Sequence, residues 1–301
     1  MKRDMVVVIA GPTASGKSAL AIDLAERHRG TIINADASQL YADLRILTAR
    51  PTPEDEARVP HRLYGVLDGA EVATAAGWAD LARVAIAATL GNGRLPIVVG
   101  GTGLYLRTLI DGIAPVPEIP PEIRDTVRLL APADAAAALA REDPAAAARL
   151  NPGDRQRIAR ALEVVRATGR PLAAWQAEPA GGIAATHDVR ALRVDLPRAE
   201  LNARAETRLA AMVAAGALDE VAALLARRLP ADRPVLRALG VPEFAAVLAG
   251  EMALAEGVAA AALATRRYQK RQATWARNQT GDWPVVTPGD VAGITALIGA
   301  P

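Results

Sequence analysis

A glycine-rich loop near residue 11 has the residue types and spacing of a phosphate-binding site. Two glycines are separated by four residues and followed by Lys and Ser, between an apolar run and a segment with helical apolar spacing. Backbone N–H groups of such a loop can surround phosphate oxygens, the lysine can reach the terminal phosphates, and the serine hydroxyl can bind Mg²⁺. We therefore predict a site for a diphosphate or triphosphate. Its residues are Gly11, Pro12, Thr13, Ala14, Ser15, Gly16, Lys17 and the metal ligand Ser18.

This loop is of the nucleotide-binding and ATP-binding type, but alone it does not choose between ATPase, kinase and other phosphate chemistry. An ordinary P-loop ATPase is expected to end a later apolar strand in an acidic residue that helps to hold Mg²⁺. Here residues 96–99 are followed by Gly100, Gly101 and Thr102. The missing acid argues against a hydrolase that cycles on nucleotide, and the glycines suggest that substrate passes close to the backbone. Thr102 offers a hydroxyl to a substrate or caps a helix.

Two further positions are candidates for chemistry at the same site. Asp36 follows the predicted strand 31–35, and ligands of open α/β sheets bind at the carboxyl ends of strands. It is the candidate general base for an incoming nucleophile, with a turn-forming aspartate as the alternative. Arg204 and Arg208 are four residues apart on one predicted helix face. Either one can clamp phosphates bidentately, or both can belong to a solvated face.

Two basic runs, at 155–170 and 257–281, favour an anionic polymer as partner. The second run has no Asp or Glu, and the first is interrupted only by Glu163. Both mix basic residues with amides, and the second adds aromatics such as Tyr268 and Trp275, a mixture that suits RNA because arginine and lysine take backbone charge while aromatics stack on unpaired bases. A solvated helix face is the alternative for either run, and Trp275 fits a core position better than a stacking one.

Strands and helices must alternate to bring these residues together. The patterns predict strands at 5–9, 31–35, 96–99, 189–196 and 283–287, with helices at 18–28 and 78–90 and a helical region at 198–228. Such alternation implies an α/β fold, here a P-loop NTPase-like parallel sheet with helices on both faces. Four prolines follow residue 114, and then only helical patterns occur up to about residue 178. We predict a core at 1–116 and 184–301, the latter with a C-terminal basic helix, and an inserted all-helical domain at 117–183.

Composition narrows the remaining function classes. The 301 residues include no cysteine, which excludes disulfides and thiolate chemistry. The three histidines are scattered along the sequence, which argues against a zinc site. No apolar stretch approaches the roughly 20 residues of a membrane span, and the N-terminal pattern is not that of a signal peptide. We expect a cytoplasmic protein without a membrane partner, and a monomer.

Seven motifs, taken in their order and spacing, resemble those of the tRNA dimethylallyltransferase family in its short bacterial form. They lie at residues 11–18, 36–41, 48–51, 60–63, 98–105, 156–163 and 270–275. The resemblance implies transfer of a dimethylallyl group from dimethylallyl diphosphate to N6 of the adenine 3′ of the anticodon, in tRNAs that read codons beginning with U. Diphosphate leaves, and Mg²⁺ assists. The loop at 11–18 then holds a prenyl diphosphate rather than ATP.

The resemblance also implies residue roles. Asp36 matches the general base, Thr102 a catalytic-site residue near the adenine, and Arg208 a diphosphate contact. It further implies contacts with tRNA at several segments. These residues are Asp36, Ala37, Ser38, Gln39, Thr102, Arg124, Gln156, Arg157, Ile158, Ala159, Arg160, Arg237, Gly240, Lys270, Arg271, Gln272, Trp275 and Arg277.

Three segments depart from the family pattern. Ala37 stands where a serine is usual, residues 45–51 read RILTARP where DIGTAKP is usual, and residues 240–243 lack an aromatic and a basic residue. The main alternative function is a small-molecule kinase of the P-loop superfamily that uses ATP. Such a kinase rarely carries a basic helical insertion together with a basic C-terminal helix, whereas a tRNA-modifying enzyme needs them.

Overall fold

A computed structural model of the chain describes residues 3–289 and 291–299. These residues divide into two compact units, the described parts of Met1–Ile110 with Ile183–Pro301, and Asp111–Gly182. The sequence-based insertion boundaries, 117–183, enclose most of the second unit. The outer ends of the predicted core, at residues 1 and 301, lie outside the described residues.

A six-stranded parallel sheet organises the first unit, in the order β3-β2-β4-β1-β7-β8. The strands are β1 (Met5–Ala10), β2 (Gly30–Asn34), β3 (His61–Arg62), β4 (Leu95–Gly100), β7 (Asp188–Val194) and β8 (Val285–Val286). The helices are α1 (Lys17–Arg27), α2 (Pro53–Arg58), α3 (Ala75–Gly91), α4 (Gly103–Asp111), α10 (Arg198–Ala214), α11 (Ala217–Ala226), α12 (Val241–Leu248), α13 (Leu254–Gln279) and α14 (Val291–Ile298). The predicted α/β fold is confirmed.

The alternation of side chains along β1 explains why helices cover both faces of the sheet. Val6, Val7, Val8 and Ile9 have no exposed surface. Val7 and Ile9 belong to the apolar cluster that contains the inner face of α1, whereas Val6 and Val8 belong to the cluster that contains α3 and α4. A strand buried on both faces must be apolar at every position, which is why it reads as a continuous run.

A helical layer completes the first unit. Buried side chains of α10, α11, α12 and α13 form a third apolar cluster with residues of the segment after β2. The predicted helical region 198–228 is two helices, because the chain turns at Gly216 with a φ of 100°. No single described helix is long and apolar enough to cross a membrane, and α10 with α11 meets that criterion only as a pair bent by 66°.

The second unit is a small helical core. Its helices are α5 (Pro121–Leu129), α6 (Pro132–Glu142), α7 (Pro144–Arg149), α8 (Arg155–Thr168) and α9 (Leu172–Gln176). Val127, Leu139, Ile158 and Leu162 are buried in its centre. In addition to the predicted helices, β5 (Gly112–Ile113) and β6 (Ala180–Gly181) form an antiparallel pair that the sequence patterns do not predict, since each has only two residues.

Candidate active site

The glycine-rich loop at 11–18 connects β1 to α1 at the carboxyl edge of the sheet. Gly16 has a φ of 89° and precedes the first helical residue, Lys17, without a side-chain cap. The first-turn N–H groups of a helix have no intrahelical acceptor, so those of α1 are directed at the space in front of the helix. The Lys17 ammonium donates to the Pro12 carbonyl at 3.3 Å. The loop thus has the geometry of an anion site.

Three charged groups influence one another at this edge. Burial lowers the pKa of Lys17 to about 8, while Asp36 raises it and Arg208 lowers it. Burial likewise lowers the pKa of Arg208, and Asp36 opposes that shift. Two cations and one carboxylate therefore share a partly desolvated site, where an incoming polyanion would relieve the repulsion between the cations.

The structure distinguishes the two candidate arginines of α10. Arg208 is half-buried and donates a hydrogen bond to Thr13 Oγ1 in the loop. Arg204 is instead paired with Glu200 at 2.7 Å, one turn away on the same helix. Of the two, only Arg208 is hydrogen-bonded to the loop.

Asp36 is held immediately after β2 by a network of short-range hydrogen bonds. The buried Asn34 side chain accepts from the Asp36 N–H at 2.8 Å and donates to the Asp36 carbonyl at 3.0 Å. Asp36 Oδ1 accepts from the Ser38 N–H at 3.0 Å and the Ser38 hydroxyl at 2.6 Å. Its other oxygen, Oδ2, accepts no hydrogen bond from the described residues. The carboxylate is oriented and retains one oxygen for an outside proton.

Asn34 is a positioning residue that the sequence reasoning missed. Its only signal is a polar side chain at the end of an otherwise apolar strand. The side chain also donates to the Leu63 carbonyl at 2.9 Å, and the backbone carbonyl of Asn34 accepts from the Trp78 indole N–H at 2.8 Å. A buried polar side chain is costly without partners, and this one has partners in Leu63 and in both backbone groups of Asp36.

Thr102 lies next to Asp36 across the sheet edge. Its hydroxyl accepts from the Ala37 N–H at 3.0 Å, and its carbonyl accepts from the N–H groups of Tyr105 and Leu106 in α4. The side chain therefore ties the Asp36 segment to β4 rather than capping α4. The Thr102 hydroxyl also forms a hydrogen bond with Tyr268 that lowers the pKa of the tyrosine, as expected when the threonine donates.

The glycines at the end of β4 and just after it make room for neighbouring parts of the protein. This corrects the interpretation that they let a substrate pass close to the backbone. A Cβ on Gly100 would lie 2.2 Å from the Ala35 backbone, and one on Gly101 would lie 2.0 Å from Gln272 Nε2. A Cβ on Gly103 would lie 2.1 Å from the ring of the half-buried Trp275. Gly100 thus lets the end of β4 approach the segment after β2, and Gly101 and Gly103 let α13 pack against this edge.

Two glutamines on the inner face of α13 hold the loop at Thr13. Gln272 accepts from the Thr13 N–H at 2.9 Å and donates to the Gly101 carbonyl at 3.0 Å. Gln269 donates to the Thr13 carbonyl at 3.0 Å and to the Leu201 carbonyl at 3.1 Å. Both side chains are buried. Gln272, expected to contact tRNA, is therefore a positioning residue for the loop, because its amide group already binds backbone.

The other candidate RNA contacts fall into exposed and engaged groups. Ile158 is 3% exposed in the core of the second unit, so its side chain cannot reach a ligand there. Gln39 donates to the carbonyls of Thr48 and Ala49 and thus anchors a loop. Ala37, Ser38, Arg124, Ala159 and Trp275 are half-buried, and Gly240 is buried. The exposed candidates are Gln156, Arg157, Arg160, Arg237, Lys270, Arg271 and Arg277.

Two cavities share Ser38, Leu239 and Tyr268 in their linings, and Asp36 lines the first of them. The first, here the Arg208 cavity, joins polar groups to an apolar wall. It is lined by Thr13, Asp36, Ser38, Leu47, Thr48, Ala205, Arg208, Leu209, Met212, Leu239, Gly240, Ala261, Thr265 and Tyr268. The second, the Arg271 cavity, has a volume of about 230 Å³. It is lined by Ala37, Ser38, Tyr41, Ala73, Tyr105, Pro234, Val235, Arg237, Ala238, Leu239, Tyr268 and Arg271.

Tyr268 separates these cavities and is electrostatically linked to the site. Burial raises the pKa of its hydroxyl to about 12, with a further increase from Asp36 and an opposing effect from Thr102. The Arg271 guanidinium lies 5.3 Å from the centre of its ring. Tyr268 therefore remains a neutral hydrogen-bonding group at physiological pH.

The donor atoms present suit a magnesium ion that binds mostly through its ligand and water. No group of three or more His, Cys, Asp or Glu among the described residues could hold a metal alone. Ser18 is exposed in the first turn of α1, directly after Lys17. Magnesium commonly uses one or two protein oxygens together with substrate phosphates and water, so a single hydroxyl beside an anion site is compatible with it.

Comparisons with known proteins show the family of the chain. Residues 39–279 match the IPP transferase family. The chain is 58% identical over 281 residues to a tRNA dimethylallyltransferase of Sphingopyxis alaskensis, covering 93% of this chain and 92% of that protein. Among solved structures, it resembles a eukaryotic dimethylallyltransferase acting on tRNA, with a TM-score of 0.82, 27% identity and coverage of 97% and 76% of the two chains. It also resembles the tRNA isopentenylpyrophosphate transferase of Bacillus halodurans, with a TM-score of 0.70, 30% identity and coverage of 99% and 97%.

Proposed function

The chain belongs to the IPP transferase family and is a tRNA dimethylallyltransferase, and from this premise we propose how its active site works. The donor is dimethylallyl diphosphate, and the acceptor is N6 of the adenine 3′ of the anticodon, in tRNAs that read codons beginning with U. The strongest support is the electrostatic coupling of Lys17, Arg208 and Asp36 at one edge of the sheet, beside two cavities. One cavity suits a prenyl diphosphate, and the other suits a base.

The donor diphosphate binds the loop at 11–18. The first-turn N–H groups of α1 and the side chains of Lys17 and Arg208 contact its oxygens, and the Thr13 hydroxyl directs Arg208 toward them. The hydrocarbon group lies along the apolar wall of the Arg208 cavity. This division of polar and apolar lining favours a prenyl diphosphate over ATP and so disfavours the kinase alternative.

The adenine enters the Arg271 cavity, which has aromatic residues and an arginine in its lining. A base in the anticodon loop must be unstacked before its amine is accessible, and aromatic rings can stack on it once it is unstacked. Tyr268 and Ser38, which line both cavities, then lie where the two substrates meet.

The chemical step is substitution at the allylic carbon. The adenine N6 forms a bond to C1 of the dimethylallyl group while the C1–O bond breaks, and the bonding electron pair leaves with the diphosphate. Asp36 accepts the N6 proton, with Oδ1 held by Ser38 and Oδ2 left to receive it. Lys17 and Arg208 stabilise the charge that develops on the departing oxygen. Thr102 holds the Asp36 segment and offers its hydroxyl to the acceptor.

Magnesium is the proposed cofactor, and Ser18 is the residue that would hold it. When bound, it would neutralise diphosphate oxygens and so assist departure of the leaving group. Transfer RNA is bound by the exposed basic residues identified above. We expect the enzyme to act as a monomer in the cytoplasm.

Replacing the proposed base tests this assignment. Asp36→Asn should lower turnover by at least ~100-fold, the usual contribution of a positioned base, while tRNA affinity stays close to that of the wild type. The assay follows radiolabel from dimethylallyl diphosphate into unmodified tRNA, with ATP as a parallel donor. Asp80→Asn, at an exposed position on α3, is the matched control. Near-normal turnover of Asp36→Asn would contradict the role of Asp36, and transfer from ATP would contradict the donor.

A further inference from the structure

Leu47, a loop residue, is buried in the wall of the Arg208 cavity. It is only 6% exposed, it lies in an apolar cluster with Leu209 and Met212, and it lines the Arg208 cavity. The same cavity is lined by Thr13 and Arg208 at its polar part. A hydrocarbon chain that extends from a diphosphate on the loop must therefore share this space with the Leu47 side chain.

The backbone of Leu47 is firmly held. Consecutive N–H groups of Arg45, Ile46 and Leu47 donate to the Glu220 carboxylate of α11, at 2.5, 2.9 and 2.8 Å. On the other side, the Gln39 amide donates to the carbonyls of residues 48 and 49. Charge-assisted hydrogen bonds are about twice as strong as neutral ones, so this segment cannot easily withdraw from the cavity.

The side chain of Leu47 is held as well. Gly240 has a φ of 90°, and a Cβ at that position would lie only 2.8 Å from Leu47 Cδ1. The Leu47 side chain thus occupies space that exists because residue 240 lacks a side chain. With backbone and side chain both held, Leu47 is a rigid part of the wall.

The cavity is small. Its volume is about 50 Å³, in a measure by which one water molecule needs about 10–15 Å³. It therefore accommodates only about four groups of that size in its polar and apolar parts together, so the space for hydrocarbon is short. A ten-carbon chain would need about twice this space, and close-packed interiors do not expand readily.

We propose that Leu47 sets the length of the prenyl group that the enzyme accepts, limiting it to five carbons. This inference rests on the proposed binding of the donor in the Arg208 cavity. A longer donor would react by the same bond changes: N6–C1 forms, C1–O breaks, diphosphate takes the electron pair and Asp36 takes the proton. The enzyme therefore selects its donor by the fit of the donor's hydrocarbon chain and not by the chemistry of the reaction.

The test compares two donors with one unmodified tRNA. kcat/KM is measured for dimethylallyl diphosphate and for geranyl diphosphate, its ten-carbon homologue, in the wild type and in Leu47→Ala. A single methylene in an apolar pocket changes discrimination by about 10- to 200-fold. We expect Leu47→Ala to shift the ratio of the two kcat/KM values toward the ten-carbon donor by at least ~10-fold.

Leu44→Ala is the matched control. Leu44 is a fully buried leucine of the same segment and the same apolar cluster, but it does not line the cavity. It should lose stability as Leu47→Ala does and keep the wild-type donor ratio. Leu47→Val removes less volume and should shift the ratio in the same direction by a smaller factor, which keeps the test valid if the alanine variant fails to fold.

Two results would overturn the inference: a wild-type enzyme that uses both donors equally well, or folded Leu47 variants with the wild-type ratio. A ratio that changes equally in Leu44→Ala would also contradict it. Failure of the proposed function is distinguishable, because then the wild type would transfer no label even from dimethylallyl diphosphate.

Discussion

Helices α8 and α13 carry basic runs of similar composition, yet their cations are used differently. On α8, Arg157 pairs with Asp154 at 3.4 Å, Arg160 with Glu163 at 3.7 Å, and Arg166 with a carboxylate of α6 at 2.8 Å. On α13, four exposed cations form no ion pair within 4 Å of another described side chain, whereas on α8 this holds for Arg155. The four on α13 are Arg267, Lys270, Arg271 and Arg277. The number of basic residues in a run therefore does not measure the charge available to a partner.

The second difference lies on the buried side of α13. Gln269 and Gln272 flank Lys270 and Arg271 in the sequence, and they bind both backbone groups of Thr13 in the glycine-rich loop. One helix thus presents unpaired cations on one face and holds the donor loop with the other. Helix α8, by comparison, turns Ile158 and Leu162 into the core of its own unit. The comparison suggests that α13 contributes to tRNA binding with its cations and to donor binding through the loop that it holds, whereas α8 contributes only surface charge.

The largest effect is expected on the inner face of α13. Gln272→Leu leaves the Thr13 N–H and the Gly101 carbonyl without their partner, and each unsatisfied buried group costs about 1–3 kcal/mol. kcat/KM for the donor should fall by at least ~30-fold through a higher donor KM, while tRNA affinity stays close to the wild type. Gln279→Leu, at the exposed end of the helix, is the control. An unchanged donor KM in folded Gln272→Leu would show that the loop does not depend on α13.

The outer face of α13 should affect tRNA instead. Lys270→Ala combined with Arg271→Ala should weaken tRNA binding by roughly 20-fold and lower the slope of log affinity against log salt by about 1.4 to 1.8. Donor KM should not change. Titrations at several salt concentrations measure both quantities. If the slope stays at the wild-type value, these cations do not contact the RNA backbone.

The loop held by α13 should also give donor binding a pH dependence. Lys17 has a pKa of about 8, so its charge is present below pH 8 and is lost above it. kcat/KM for the donor should therefore fall by about 10-fold between pH 7 and pH 9. Because the ordinary pKa is 10.5, the unfolded chain binds more protons between pH 8 and pH 10.5, and this group makes the free energy of unfolding rise with pH there. Lys17→Arg should lack the fall in kcat/KM. A wild-type kcat/KM that stays constant up to pH 9 would refute the role of the Lys17 charge in donor binding.

The smallest effect is expected from α8. Arg157→Ala with Arg160→Ala removes cations that already have carboxylate partners, so tRNA affinity should fall by only ~3-fold, with a smaller change in salt slope than for the α13 pair. The same salt titration measures it. An effect as large as that of the α13 pair would show that the ion pairs on α8 open when RNA binds, and the contrast between the helices would disappear.

Much of the fold could be predicted because the signals are local. The apolar runs of β1, β2 and β4 and the glycine-rich loop define strand, turn and helix within a few residues of each other. The strand β3 was missed because a two-residue edge strand, His61–Arg62, has no apolar pattern to reveal it. Its place in the sheet depends on the parallel partner β2.

The amino-acid sequence by itself determined the position of the glycine-rich loop between a strand and a helix, the carboxylate after the second strand and, through the motifs, the family. Each of these depends on residues that are close together in the chain. Only the tertiary structure showed that Arg208 and not Arg204 is hydrogen-bonded to the loop, gave Gln272 its place against Thr13, and distinguished paired from unpaired cations. Those outcomes depend on which groups meet across the fold, such as the 259 residues that separate Thr13 from Gln272. No local pattern encodes a contact over that distance, because its formation depends on the packing of α13 against the sheet edge.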